Sequence, residues 1–119
     1  MVMKKERKKE KEKENKTMTL SINANNNAVN KVWEFVLVGE MDISNAHLFK
    51  EQLETALEEK RQNITVDLSG LSYMDSTGLG VIMGAYGSIQ KEGLSIKLLN
   101  PKESIKKLLR ISGLDKKLC

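Results

Sequence analysis

Three strand-like runs, at residues 32–39 (VWEFVLVG), 64–68 (ITVDL) and 94–99 (LSIKLL), are separated by segments whose apolar residues recur at helical spacing. This alternation constrains the fold more than any other feature, because strands and helices bury their apolar faces with different periods. After the first run, Phe49, Leu53, Ala56 and Leu57 share one helix face, and Lys50, Glu51, Glu54, Glu58 and Glu59 occupy the other. The spacing predicts a helix over about residues 44–61 with Ser44 as its N-cap. Leu79, Ile82, Met83 and Tyr86 mark a second helix over about residues 76–91, ended by Gly93. Asn100, Pro101 and Glu103 read as N-cap, first-turn proline and third-position glutamate of a third helix. Ile105, Leu108 and Leu109 supply its stripe and Gly113 stops it; Leu114 and Leu118 are expected to tuck back on the core.

Residues 17–22 form a short strand pattern. Residues 23–30 (NANNNAVN) read as a turn, because Asn tolerates left-handed backbone and bonds its own main chain. With the run at 32–39 this suggests a hairpin. That run is apolar enough to expect cover on both faces, while residues 69–75 read as a loop. The order β-β-α-β-α-β-α implies an α/β domain. Its central sheet is expected to be mainly parallel, of four to five strands, with an antiparallel edge strand and helices packed on it.

Charge divides the chain. Residues 1–16 hold eight bases and four acids, which leaves twelve of each in the rest. The net charge of +4 therefore belongs to a low-complexity N-terminal segment, expected to be a disordered tail, and residues 17–119 form the domain. A neutral body with only Trp33, Phe35, Phe49, Tyr73 and Tyr86 as aromatics argues against direct nucleic-acid binding. No run approaches the ~18–20 apolar residues of a membrane span, and nothing resembles a secretory signal. Cys119 is the single cysteine, so no internal disulfide forms, in keeping with a reducing cytoplasm. One histidine and one cysteine do not make a His/Cys zinc site, and no metal or cofactor is expected.

The segment from Tyr73 to Gly80 joins a strand end to a helix start, where ligands and partners of open α/β sheets gather. The first helical N–H groups there lack internal partners, and either Asp75 or Ser76 can cap them. Phosphate on Ser76 would bring about −1.5 to −2 charges to a helix N-terminus, favoured by the dipole and opposed by Asp75. Gly78, Gly80, Gly84 and Gly87 lie in one helix, where each costs roughly 0.8–1.0 kcal/mol against alanine. Close packing on the sheet is the expected reason at Gly84 and Gly87; at Gly78 and Gly80 it is a bare surface for a partner.

Enzymatic readings fare worse. Gly78-Leu79-Gly80 fails the G-x-G-x-x-G spacing, because residue 83 is Met. There is no phosphate-binding G-K-[ST], and Ser76 lacks a G-x-S-x-G frame. His47, the only histidine, reads as solvated or capping, and Asp67 as a local hydrogen-bond acceptor.

Taken in order, Gly39-Glu40-Met41-Asp42, Ile64-Thr65-Val66-Asp67-Leu68-Ser69, Met74-Asp75-Ser76-Thr77-Gly78-Leu79-Gly80 and Ile111-Ser112-Gly113-Leu114 resemble a bacterial STAS domain. More narrowly they resemble the anti-sigma factor antagonists of sporulation and stress regulation, over about residues 18–119. The resemblance implies a non-enzymatic switch. Its unphosphorylated form would bind an anti-sigma factor that is also a serine kinase and so release the sigma factor. Phosphorylation at Ser76 would end binding, and a phosphoserine phosphatase would restore it. It further implies a partner-binding set of Asp42, Asp75, Ser76, Thr77, Gly78 and Gly80, with Thr77 not normally the main acceptor. A monomer when free is expected. Other STAS roles, as a stress-complex scaffold or lipid-transporter accessory subunit, and a small nucleotide-binding enzyme are the alternatives.

Overall fold

The computed structural model describes residues 19–119, so the charged segment at 1–16 and the beginning of the first expected strand lie outside the described residues. Strand β1 (Leu20–Asn27) runs antiparallel to β2 (Val32–Met41). The chain continues through α1 (Ala46–Glu59), β3 (Asn63–Met74), α2 (Ser76–Ile89) and a 3-10 turn (Gln90–Glu92). It ends with β4 (Ile96–Leu99), α3 (Glu103–Ser112) and α4 (Leu114–Leu118). The four strands lie in the order β1-β2-β3-β4, with β2–β3 and β3–β4 parallel. The expected sheet, parallel at its centre with an antiparallel edge strand, is the one observed.

The core lies on one sheet face. Trp33, Phe35 and Leu37 alternate inward on β2 and meet Ile64, Val66 and Leu68 of β3, which meet Ile96 and Leu98 of β4. Helix α1 seats Phe49 on this face, its ring edge-on to Phe35 at 5.8 Å and 72°. Leu79, Ile82 and Ile89 of α2, Ile105 and Leu109 of α3, and Leu114 and Leu118 of α4 complete it. The last two residues fold back on the core as expected. On the other face of β2, Val36 and Val38 remain 37% and 47% exposed. The expected cover on both faces of this strand is therefore incorrect: its period of two sends only alternate residues to the helices.

Four local readings are corrected. Asn23 to Asn27 belong to β1, not to a turn, because their backbone pairs with Val36 to Val32 of β2, and three of their side chains find cross-strand or neighbouring partners. Asn25 and Asn27 donate to the two Glu34 carboxylate oxygens at 3.3 and 3.1 Å, and Asn26 donates to Gln62 at 2.8 Å. The reversal is confined to residues 28–31, where Asn27 Oδ1 accepts from Asn30 N and Lys31 has φ +56°. Residues 69–74 are strand rather than loop. Pairing with β2 continues to Met41 opposite Met74, with Gly70 opposite Val38, and two shifts of register take up the extra residues of β3 on either side of Gly70 and Leu71.

Helix α1 begins at Ala46, with Asn45 rather than Ser44 at the cap position. Ser44 instead donates from N and Oγ to Asp42 Oδ1, at 2.9 and 2.6 Å. Helix α3 starts at Glu103 with Lys102 at its cap position, so the expected capping box does not form. Asn100 takes φ +54°, left-handed, whereas a capping residue needs extended backbone.

Candidate functional site

The parallel register of β2 and β3 ends with Met41 opposite Met74. Asp42 and Asp75 are the next residues of each chain segment, so the two acids leave the sheet at the same end, the carboxyl end of both strands. Asp75 N donates to Met41 O at 3.3 Å and ties the two exits together.

Between the capping choices left open by the sequence, the structure takes Asp75. Its backbone is extended (φ −106°, ψ −170°), and Oδ1 accepts from Thr77 N at 2.9 Å and Gly78 N at 3.4 Å. The Thr77 hydroxyl donates to the same oxygen. Burial works against ionisation of this carboxyl. The hydrogen bonds from the Thr77 hydroxyl and from the Thr77, Gly78 and Ile43 N–H groups outweigh it, and hold the carboxyl below its usual range. Asp75 thus stays charged near neutrality and joins the β2–α1 connection to the start of α2.

Ser76 is the first residue of α2 and is exposed. Among the described residues its Oγ has no hydrogen-bond partner, whereas the neighbouring Thr77 is half-buried and engaged. Gly78 is buried beneath them. A Cβ there would lie 2.7 Å from Met74 Cγ and 2.8 Å from Met41 Sδ. Gly80, Gly84 and Gly87 would meet nothing within 4 Å. The packing role expected of Gly84 and Gly87 therefore belongs to Gly78, because the sheet end rises against the first turn of α2 and not the later ones. Of the bare surface expected at Gly78 and Gly80, only that at Gly80 is present, since Gly78 is buried against the sheet end.

Asp42 is half-buried in a second, separate network. Its carboxylate holds Ser44, and its carbonyl accepts from Ala46 N at 2.9 Å. Asn45, the one buried polar residue of the described core, braces the connection, accepting from Asp42 N at 2.9 Å and donating to Glu40 O at 3.0 Å. Asp67 accepts from Ser69 N at 2.9 Å, the local role expected of it. Backbone and side-chain hydrogen bonds from Ser69 draw its carboxyl below the usual value.

Two surface features were not read from the sequence. A groove of about 490 Å³ runs between α1 and α2 beside the serine, with Leu53, Leu57, Thr77, Gly80 and Val81 among its lining. Ile43 projects 77% exposed next to Asp42. A lone apolar residue in a connection has no period to reveal it, and the groove exists only because two helices distant in sequence lie together. Among the described residues no group of three or more His, Cys, Asp or Glu side chains is placed to hold a metal ion. No helix among them is long and apolar enough to cross a membrane.

Fold and site define a small mixed-sheet α/β domain that presents an unengaged serine hydroxyl at the start of a crossover helix. The STAS domain model matches residues 23–118, and the chain belongs to that family. It is 40% identical over 78 residues to the anti-sigma-B factor antagonist of Bacillus subtilis, covering 66% of this chain and 71% of the relative. It is 33% identical over 81 residues to the anti-sigma F factor antagonist of Paenibacillus polymyxa, covering 67% and 69%. Among solved structures the fold matches the anti-sigma factor antagonist SpoIIAA in its unphosphorylated form, with TM-score 0.74, 23% identity, and 83% and 86% of the two chains covered. It also matches SpoIIAA in the phosphorylated form, from Bacillus, with TM-score 0.68, 23% identity and coverage of 83% and 89%.

Proposed function

We propose that this chain is an anti-sigma factor antagonist whose binding is switched off by phosphorylation of Ser76. The relatives' names support the role. The observation that carries the switch is the state of one hydroxyl: Ser76 Oγ is exposed, without a hydrogen-bond partner among the described residues, and set at a helix start, while Asp75 does the capping. The unphosphorylated chain binds an anti-sigma factor that is also a serine kinase, and the sigma factor is released. In the transfer, Ser76 Oγ bonds to the γ-phosphorus of ATP and the bond from that phosphorus to the β-bridging oxygen breaks. ADP leaves, and the hydroxyl proton passes to a base of the kinase. A phosphoserine phosphatase reverses the modification by hydrolysis. The chain itself supplies no catalytic group and no cofactor, and it acts in the cytoplasm.

The binding face consists of Asp42, Asp75, Ser76, Thr77 and Gly80, with Gly78 setting its height from beneath. A partner surface shaped for a neutral hydroxyl meets about −1.5 to −2 charges after phosphorylation. Leaving such a charge desolvated and unpaired costs several kcal/mol, and each ~1.4 kcal/mol is tenfold in affinity, so a loss of about a hundredfold or more follows. The helix dipole favours the added charge, so the fold survives while the interface does not. The test is the affinity of the anti-sigma factor for Ser76→Ala and Ser76→Asp variants. Tight binding by the alanine form with weak binding by the aspartate form is expected; equal affinities remove the proposal.

A further inference from the structure

We propose that the Asp75 side chain selects which of two adjacent hydroxyls is phosphorylated, by holding the Thr77 hydroxyl as a donor and leaving Ser76 free. This rests on the reading of Ser76 as phosphoacceptor. Ser76 and Thr77 carry the same nucleophile at adjacent positions, and a kinase that approaches this helix start reaches both. Their surroundings differ. Thr77 is tied to one Asp75 oxygen through both its N–H, at 2.9 Å, and its hydroxyl. Its side chain is half-buried and borders the α1–α2 groove.

To attack phosphorus, Thr77 Oγ1 must give up that bond and turn out of the groove. The same carboxylate is a poor base for the threonine proton, since hydrogen bonds hold it in its ionised form. Ser76 Oγ meets none of these conditions: it is exposed and has no partner to surrender among the described residues. Asp75 is a positioning residue here, acting through Thr77 and not on the phosphate.

The test recovers the full chain from its native cells, where its kinase is present, and maps phosphate between residues 76 and 77 by peptide fragmentation. Wild type is expected to carry phosphate on Ser76. Asp75→Ala is expected to raise the share on Thr77 about tenfold or more, the result of removing ~1.4 kcal/mol of discrimination. Asp75→Asn, whose amide oxygen still accepts from Thr77, retains the wild-type pattern. Asp75→Ala removes the cap together with the hydroxyl's acceptor, so Ser76→Ala, which leaves both in place, is its companion measurement. Should Asp75→Ala fail to fold, Ser76→Ala decides: with Asp75 intact, Thr77 stays unmodified. Phosphate on Thr77 in Ser76→Ala, or no redistribution in folded Asp75→Ala, overturns the selection while the phosphoserine switch stands. Wild type unmodified at both residues overturns the switch itself, and the selection with it.

Discussion

Met41 pairs with Met74 at the carboxyl ends of β2 and β3, and both side chains lie directly under Gly78. One pair of buried methionines thus sets both the separation of the two acidic exits and the height of the α2 N-terminus. The serine that carries the proposed switch is positioned by this contact.

Two glycines two residues apart should respond in opposite directions to alanine. At Gly78 a methyl group would press on Met74 and Met41, and overpacking of this kind costs about 1–3 kcal/mol. At Gly80 the methyl meets nothing, and the gain in helix propensity is about 0.8–1.0 kcal/mol. Urea unfolding of Gly78→Ala and Gly80→Ala checks both signs. Gly80→Ala should also weaken anti-sigma factor binding, because its methyl group stands on the proposed face.

Removing the Ser76 hydroxyl should leave stability within about 0.5 kcal/mol of wild type, since an exposed group without partners contributes little. The same variant should take up no phosphate when incubated with ATP and the anti-sigma kinase, read by intact mass. A large fall in thermal midpoint for Ser76→Ala would show that the hydroxyl holds the fold together rather than standing free.

Asp75→Ala removes the α2 cap, a change worth about 0.5–2 kcal/mol. Its pH dependence has a definite sign. The folded-state carboxyl lies below its ordinary value, so its contribution is complete above the unfolded-state value of about 3.9 and lost as pH falls through the lower folded-state value. Wild type should therefore lose more stability than Asp75→Asn on acidification through that window. Urea midpoints measured from neutral to strongly acid pH make the comparison.

Leu118, in the short helix α4, is only 2% exposed and seats that helix on the core. Leu118→Ala should cost about 2–5 kcal/mol, as for a core leucine. Loss of hydrogen-exchange protection in α3 and α4 would accompany it if α4 is docked as a unit; a cost near zero would show that α4 is an ornament.

Much of this protein is determined by the sequence alone. The helical stripe from Phe49 to Leu57, the stripe of Ile105 and Leu109, and the stops at Gly93 and Gly113 follow from side-chain period and backbone handedness, which are local. The motif around Ser76 was legible for the same reason: a strand end, a capping residue and a helix start lie within a few residues. Tertiary structure decided the rest. Asn23 to Asn27 are strand because β2 pairs with them, with Glu34 and Gln62 bonding three of their side chains, and residues 69–74 are strand because β2 lies alongside. Gly78 rather than Gly84 is packed because Met41 and Met74 rise beneath the first turn alone. The choice between Asp75 and Ser76 as cap is likewise made in the fold, where Asp75 Oδ1 takes Thr77 N and Gly78 N. Pairing, capping and close contact are competitions between groups distant or alternative in the chain, and only the assembled fold brings the competitors together.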